Sequence, residues 1–110
     1  MIDWARAAEL RNEIGTEDFD EVAELFLMEV EDALSRLDAA KHEPEQMQEL
    51  MHFLKGSALN LGFSDLSDIC SAAESDAAQG YITVDVAALK ELYKRSRAFF
   101  ETEYTLRFAA

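Results

Sequence analysis

The spacing of apolar residues constrains this chain more than any other feature. Phe19, Val22, Phe26, Val30, Ala33 and Leu37 recur at intervals of 3, 4, 4, 3 and 4, the period of one buried face of an α-helix held for about five turns. Three more stripes follow with the same period. Met47, Leu50, Met51, Leu54, Ala58 and Leu61 form one, Leu66, Ile69, Cys70, Ala73 and Ala77 the next, and Val86, Leu89, Tyr93, Phe100 and Tyr104 the last. Tyr81-Ile82-Thr83-Val84 is rich in strand formers, but no second such segment is there to pair with it. The chain is expected to be all-α.

Punctuation divides the pattern. Gly15, Gly62 and Gly80 each follow a periodic stretch, where a left-handed residue commonly ends a helix. Pro44 suits the first turn of a helix, and Asp3 an N-cap. Glu17 and Asp18 stand where a helix dipole favours negative charge. These marks predict helices over about 3–14, 17–40, 44–61, 64–79 and 84–106. The implied architecture is an antiparallel four-helix bundle with an additional short N-terminal helix, in a single domain over 1–110. Trp4 is expected to anchor that first helix.

Charge removes whole classes of function. Twenty-three Asp and Glu against ten Lys and Arg leave a formal net charge of -13, which repels phosphate backbones and anionic lipid. No nucleic-acid partner and no membrane partner are expected. No apolar run is long enough for a membrane span or the core of a signal peptide. The single cysteine, Cys70, lies in an apolar stripe and reads as a buried thiol of a reducing compartment. A cytoplasmic location follows as the expectation. No exposed heptad seam calls for a dimer, so the chain is expected to be a monomer.

The third helix carries residues that its core stripe does not use. At about 100° per residue, His52 points about 140° from the mean direction of the stripe and Gly56 about 180°. Gln48, Lys55 and Leu59 fall on the same side as His52. Glycine inside a helix costs about 1 kcal/mol against alanine. A glycine facing away from the core therefore suggests the close approach of a partner. Between Lys41 and Lys90, Lys55 is the only Lys or Arg among eight acidic residues. An exposed imidazole, a nearby cation and an absence of bulk suit a phosphoryl group carried on a ring nitrogen.

His52-Phe53-Leu54-Lys55-Gly56-Ser57-Ala58-Leu59-Asn60-Leu61-Gly62 resembles the signature of histidine-containing phosphotransfer (HPt) domains, H-x-x-K-G-S-A-x-x-L-G. The resemblance runs on to Ala73-Glu74, and the helix order over nearly the whole chain is similar. It implies a four-helix bundle whose histidine accepts a phosphoryl group from one receiver-domain aspartate and passes it to another. His52 then matches the phosphoacceptor, Lys55 the residue that steadies the phosphoryl oxygens, and Gly56 the position that leaves room for the receiver. Ser57 matches a small residue of the motif. Glu74 falls where some members place a glutamine bonded to the histidine ring. A carboxylate there could orient the ring or repel phosphate. Phe53 replaces a smaller polar residue and, with Gln48 and Leu59, is a candidate docking contact. The implied partners are response-regulator receiver domains, a hybrid histidine kinase, or both. No cofactor is expected on this chain, with Mg²⁺ expected on the partner receiver domain. The chain lacks a Gly-rich phosphate loop and a kinase signature, so it is expected to be an intermediary and not an enzyme.

Three other readings compete. Glu49-Leu50-Met51-His52 has a metal-ligand spacing, but a di-iron bundle needs two such motifs directed inward, and no metal site is expected. Gly62-Phe63-Ser64-Asp65-Leu66 resembles the serine context of acyl carrier proteins with Ser and Asp transposed, and an N-cap role accounts for Ser64. A helical adaptor with an incidental His52 would share the fold and take no phosphate.

Overall fold

The computed structural model describes residues 1–108. Among the described residues the chain is all-α, with five α-helices and one short 3-10 turn. The helices are α1 (Trp4–Ile14), α2 (Phe19–Ser35), α3 (Pro44–Leu61), α4 (Ser64–Ala78) and α5 (Val86–Phe108), and the 3-10 turn spans Asp38–Ala40. Tyr81–Val84 takes no regular secondary structure, and among the described residues a single bridge of strand type joins Ile2 to Phe63. No helix among the described residues is long and apolar enough to cross a membrane.

Local chemistry sets the helix ends. The Asp3 carboxylate accepts from the Arg6 N–H at 3.1 Å, and Pro44 opens α3. Asp85 caps α5 by accepting from the Ala88 N–H at 3.0 Å. Gly62 ends α3 with φ +81°, a left-handed conformation, and its carbonyl accepts from the Asp3 N–H at 2.6 Å. The turn after α3 is thereby tied to the segment leading into α1. Two residues connect α3 to α4, and these helices share the most extensive interface of the fold.

The buried side chains form one cluster drawn from every helix. Met47, Met51, Leu54, Ala58 and Leu61 of α3 are wholly buried within it, as are Leu66 and Cys70 of α4. Trp4 fastens α1 to α5 by stacking on Phe100, with ring centroids 5.7 Å apart. Tyr93 crosses from α5 to α2, where its hydroxyl donates to Glu31 Oε2 at 2.7 Å.

Several expectations need correction. Helix α2 stops at Ser35 and not at residue 40. Ser35 Oγ donates to the Asp32 carbonyl at 2.6 Å, competing with the helical ladder, and Leu37 reaches the core from the turn beyond. The inward face of α2 is centred on Ala23 and Leu27, while Val22 and Phe26 are half-buried. Leu50 is half-buried, and Ile69 is exposed while Ser67 takes the inward position on α4. Ser64 is the first residue of α4 and not its cap, and its hydroxyl donates to the Met1 carbonyl at 3.1 Å.

Candidate functional site

The α3–α4 pair positions the candidate site. The side chain of His52 stands 71% exposed at mid-helix on α3. Leu54 and Met51 on either side point into the core, which fixes the helix and leaves the imidazole on the outer face. Gly56, one turn on, is exposed, and a Cβ built there would have no neighbour within 4 Å. Ser57 is buried at 6% exposure, so it packs within the fold.

Helix α4 brings Glu74 to this face, 22 residues from His52 in sequence. Its carboxylate makes two contacts. Oε2 lies 2.8 Å from His52 Nδ1, and Oε1 lies 2.6 Å from Lys55 Nζ. The Lys55 ammonium holds the Glu74 carboxyl below the usual carboxylate range, with a smaller contribution from His52 and against the opposing effect of desolvation. A carboxylate only accepts hydrogen bonds, so Nδ1 donates in this contact. Nε2 has no hydrogen-bond partner among the described residues. The arrangement is a nucleophilic nitrogen facing solvent on a ring held from behind.

The structure brings His52, Lys55, Gly56 and Glu74 onto one face, and the other exposed positions named lie along α3 on either side of it. Gln48 is half-buried one turn before His52. Phe53, 42% exposed, lines a groove of about 540 Å³ between α2 and α3, together with Leu25, Met28 and Leu50. Leu59, 53% exposed, borders a different recess beside Asp3, Arg6 and Gly62. Two features escaped the sequence reading. Lys55 is engaged by Glu74, where its isolation among acids suggested a free cation. Leu25 and Met28 of α2 are also exposed, at 54% and 63%. Their position three residues apart, outside the 3-4-4-3-4 seam, is the signal that could have found them. Among the described residues, no group of three or more His, Cys, Asp or Glu is placed to hold a metal ion. Cys70 is buried, and desolvation pushes its thiol up to about 12.

The Hpt domain family model matches residues 21–99. That span includes α3, α4, every candidate site residue and most of α2 and α5. Neither a curated protein nor a solved structure matches the chain. The match covers well over half of the 110 residues, and the chain belongs to the Hpt domain family, whose members carry out histidine phosphotransfer in phosphorelays.

Proposed function

As a member of the Hpt domain family, we propose, this chain is a phosphorelay intermediate in which His52 takes a phosphoryl group from the phosphoaspartate of one receiver domain and passes it to another. The observation that carries the reading is an exposed imidazole held through Nδ1 by Glu74 at 2.8 Å, with Nε2 facing solvent.

The chemistry asks for positioning more than covalent assistance. The Nε2 lone pair attacks phosphorus in line with the acyl-phosphate P–O bond. An N–P bond forms, the P–O bond breaks, and its electron pair leaves on the receiver carboxylate. Delivery to the second receiver reverses these events. Lys55, one turn from His52, supplies a cation for the transferred oxygens. Gly56 keeps the approach free of a side chain, and Ser57 packs beneath. Mg²⁺ carried by the receiver would offset phosphoryl charge from the other side.

The partner surface includes Gln48, Phe53 and Leu59 around His52. The groove bordered by Leu25 and Met28 extends it toward α2. A small apolar area around a polar centre is what a transient interface offers. The partners are receiver domains, free-standing or attached to a hybrid histidine kinase. In this reading α2 to α5 form an antiparallel four-helix bundle over one domain, α1 covers the α3–α4 turn, and the chain works as a cytoplasmic monomer.

Intact mass after incubation with phosphoramidate tests the reading on wild type and His52→Gln. One acid-labile phosphate on wild type alone is expected, with unchanged helical circular dichroism in the variant. No modification under conditions that phosphorylate a control histidine protein would leave a helical adaptor in its place.

A further inference from the structure

A second exposed apolar face lies on the α4–α5 side of the molecule. Asp65, Ile69, Ala72 and Asp76 recur at intervals of 4, 3 and 4 along α4, and Ala88, Leu92, Arg95 and Phe99 do the same along α5. At about 100° per residue each set forms one narrow row, with the spacing of a helix-packing seam. Ile69 and Phe99 are 43% and 41% exposed. Between the rows runs a recess of about 450 Å³, lined by Ile69, Ala72, Ala88, Leu92 and Arg95 among others. Glu74 stands five residues beyond Ile69, about 140° round α4, so this face is separate from the one that carries His52 and Lys55. We propose that the α4–α5 face is a self-association surface, on which a second copy of this chain docks about a two-fold axis parallel to the helix axes.

Charge selects the occupant. Helix α4 carries four acidic residues and no Lys or Arg, whereas α5 carries five Lys and Arg against three Glu and is the one α-helix with a net positive charge. A two-fold axis of that direction exchanges the two helices, so α5 of each copy lies on α4 of the other, positive on negative, twice. It also keeps every residue at its own level along the bundle. Arg95 borders the same recess as Ile69, so it arrives beside Ile69 and Asp68 of the other copy. Asp68 and Arg95 are both exposed, and neither has an ion-pair partner among the described residues. The pairing supplies one to each. Leu92 meets Ile69, and Ala88 meets Ala72, across the middle of the contact. An axis perpendicular to the helices would instead set acidic α4 on acidic α4.

Size sets the strength of the contact. The 15 residues of α4 span about 22 Å, and two helices side by side are about 20 Å wide, so each copy contributes about 450 Å². The sum of about 900 Å² lies below the range of about 1,200–2,000 Å² that stable interfaces bury. Two chains of net charge -13 also repel each other, although α2, with six acidic residues and no Lys or Arg, stays outside the contact. The pair is therefore weak and reversible, and single chains prevail on dilution. Each copy keeps a whole His52 site on its uncovered face, so the single chain remains the unit of transfer.

Sedimentation equilibrium on the full-length chain, from about 5 µM to about 500 µM, covers the range of a weak interface. The mean mass of wild type should climb from one chain toward two. Arg95→Asp and Asp68→Arg should each weaken association by at least about 10-fold, because each sets like charges together twice in the pair. The double variant Arg95→Asp/Asp68→Arg should recover it, since both contacts re-form with their signs exchanged. Helical circular dichroism should be the same in all four chains. A wild type that stays a single chain at about 500 µM overturns the proposal and leaves the face to a different protein. Wild-type association in both single variants, or a folded double variant that stays single, overturns it as well. Phosphoramidate labelling of the same samples keeps this inference apart from the phosphotransfer reading: pairing stands or falls by mass alone, whether or not His52 takes phosphate.

Discussion

Two glycines of the α3 region should respond to the same substitution with opposite signs. Gly56 lies in the helix interior with no atom within 4 Å of a built Cβ, so alanine fits without strain. The helix gains the propensity difference of about 1 kcal/mol. At about 2.1 cal/mol/K per residue, the unfolding entropy of 110 residues converts this into a rise in Tm of about 4 °C. Gly62 has φ +81°, and a Cβ there would overlap the Asp3 carbonyl oxygen. That oxygen cannot retreat freely, because it accepts from the Ala7 N–H at 3.1 Å, and the Asp3 N–H is itself bonded to the Gly62 carbonyl at 2.6 Å. The left-handed backbone alone costs an alanine about 1–2 kcal/mol. With the overlap added, Gly62→Ala should lower Tm by at least about 8 °C. Thermal unfolding followed by circular dichroism reads both. Function should separate the variants again. A methyl forced into a packed interface costs about 1–3 kcal/mol, so transfer from a phosphorylated receiver to Gly56→Ala should weaken by about 5- to 150-fold. Labelling by phosphoramidate, which needs no docking, should be unchanged. A Gly56→Ala chain that is less stable than wild type, or that takes phosphate from a receiver at full rate, would refute the reasoning.

Acid sensitivity should trace in part to Glu74 and Asp38. Both carboxyls lie below their ordinary values, Glu74 through Lys55 first and Asp38 through Lys90 and then Lys41. Carboxyls lowered by folding contribute stability that is present above their unfolded pKa of about 4 and is lost as the pH falls through the folded values. Urea midpoints should therefore decline below about pH 4, and less steeply in Glu74→Gln. Asp38, with a side chain 57% exposed, should contribute less because solvent screens its pairs; equal slopes in wild type and Glu74→Gln would contradict this. Cys70 is wholly buried, with its thiol pushed up to about 12, so thiol reagents should modify it only as fast as the chain unfolds. Modification in native buffer at the rate of a free thiol would remove it from the core.

Helix content and the outward direction of His52 were legible because both depend on short-range geometry. A turn of helix places residue 52 relative to 51 and 54 whatever the rest of the chain does, and Met51 and Leu54 had to face inward. Helix α2 was less legible. Its residues are apolar over more than half its circumference, from Val22 and Phe26 round to Ala23 and Leu27 and on to Leu25 and Met28. Periodicity finds a helix there but cannot choose among adjoining apolar stripes. On α4 the small Ser67 is buried while Ile69, assigned to the apolar stripe, is exposed, a choice that interhelix packing makes and periodicity does not.

Residues alone settled the all-α class, the helix breaks at Gly15, Gly62 and Gly80, and the exposure of the histidine. Helix hydrogen bonds and left-handed ends are made between neighbours in the chain. Packing between helices decided which stripe of α2 turned inward, that Leu25, Met28 and Phe53 share one groove, and that the carboxylate of Glu74 lies 2.8 Å from His52 and 2.6 Å from Lys55. That last arrangement joins α3 to α4 across 22 residues. It exists only once the turn at Gly62 and the shared core have set the register of the two helices, which no spacing within either helix specifies.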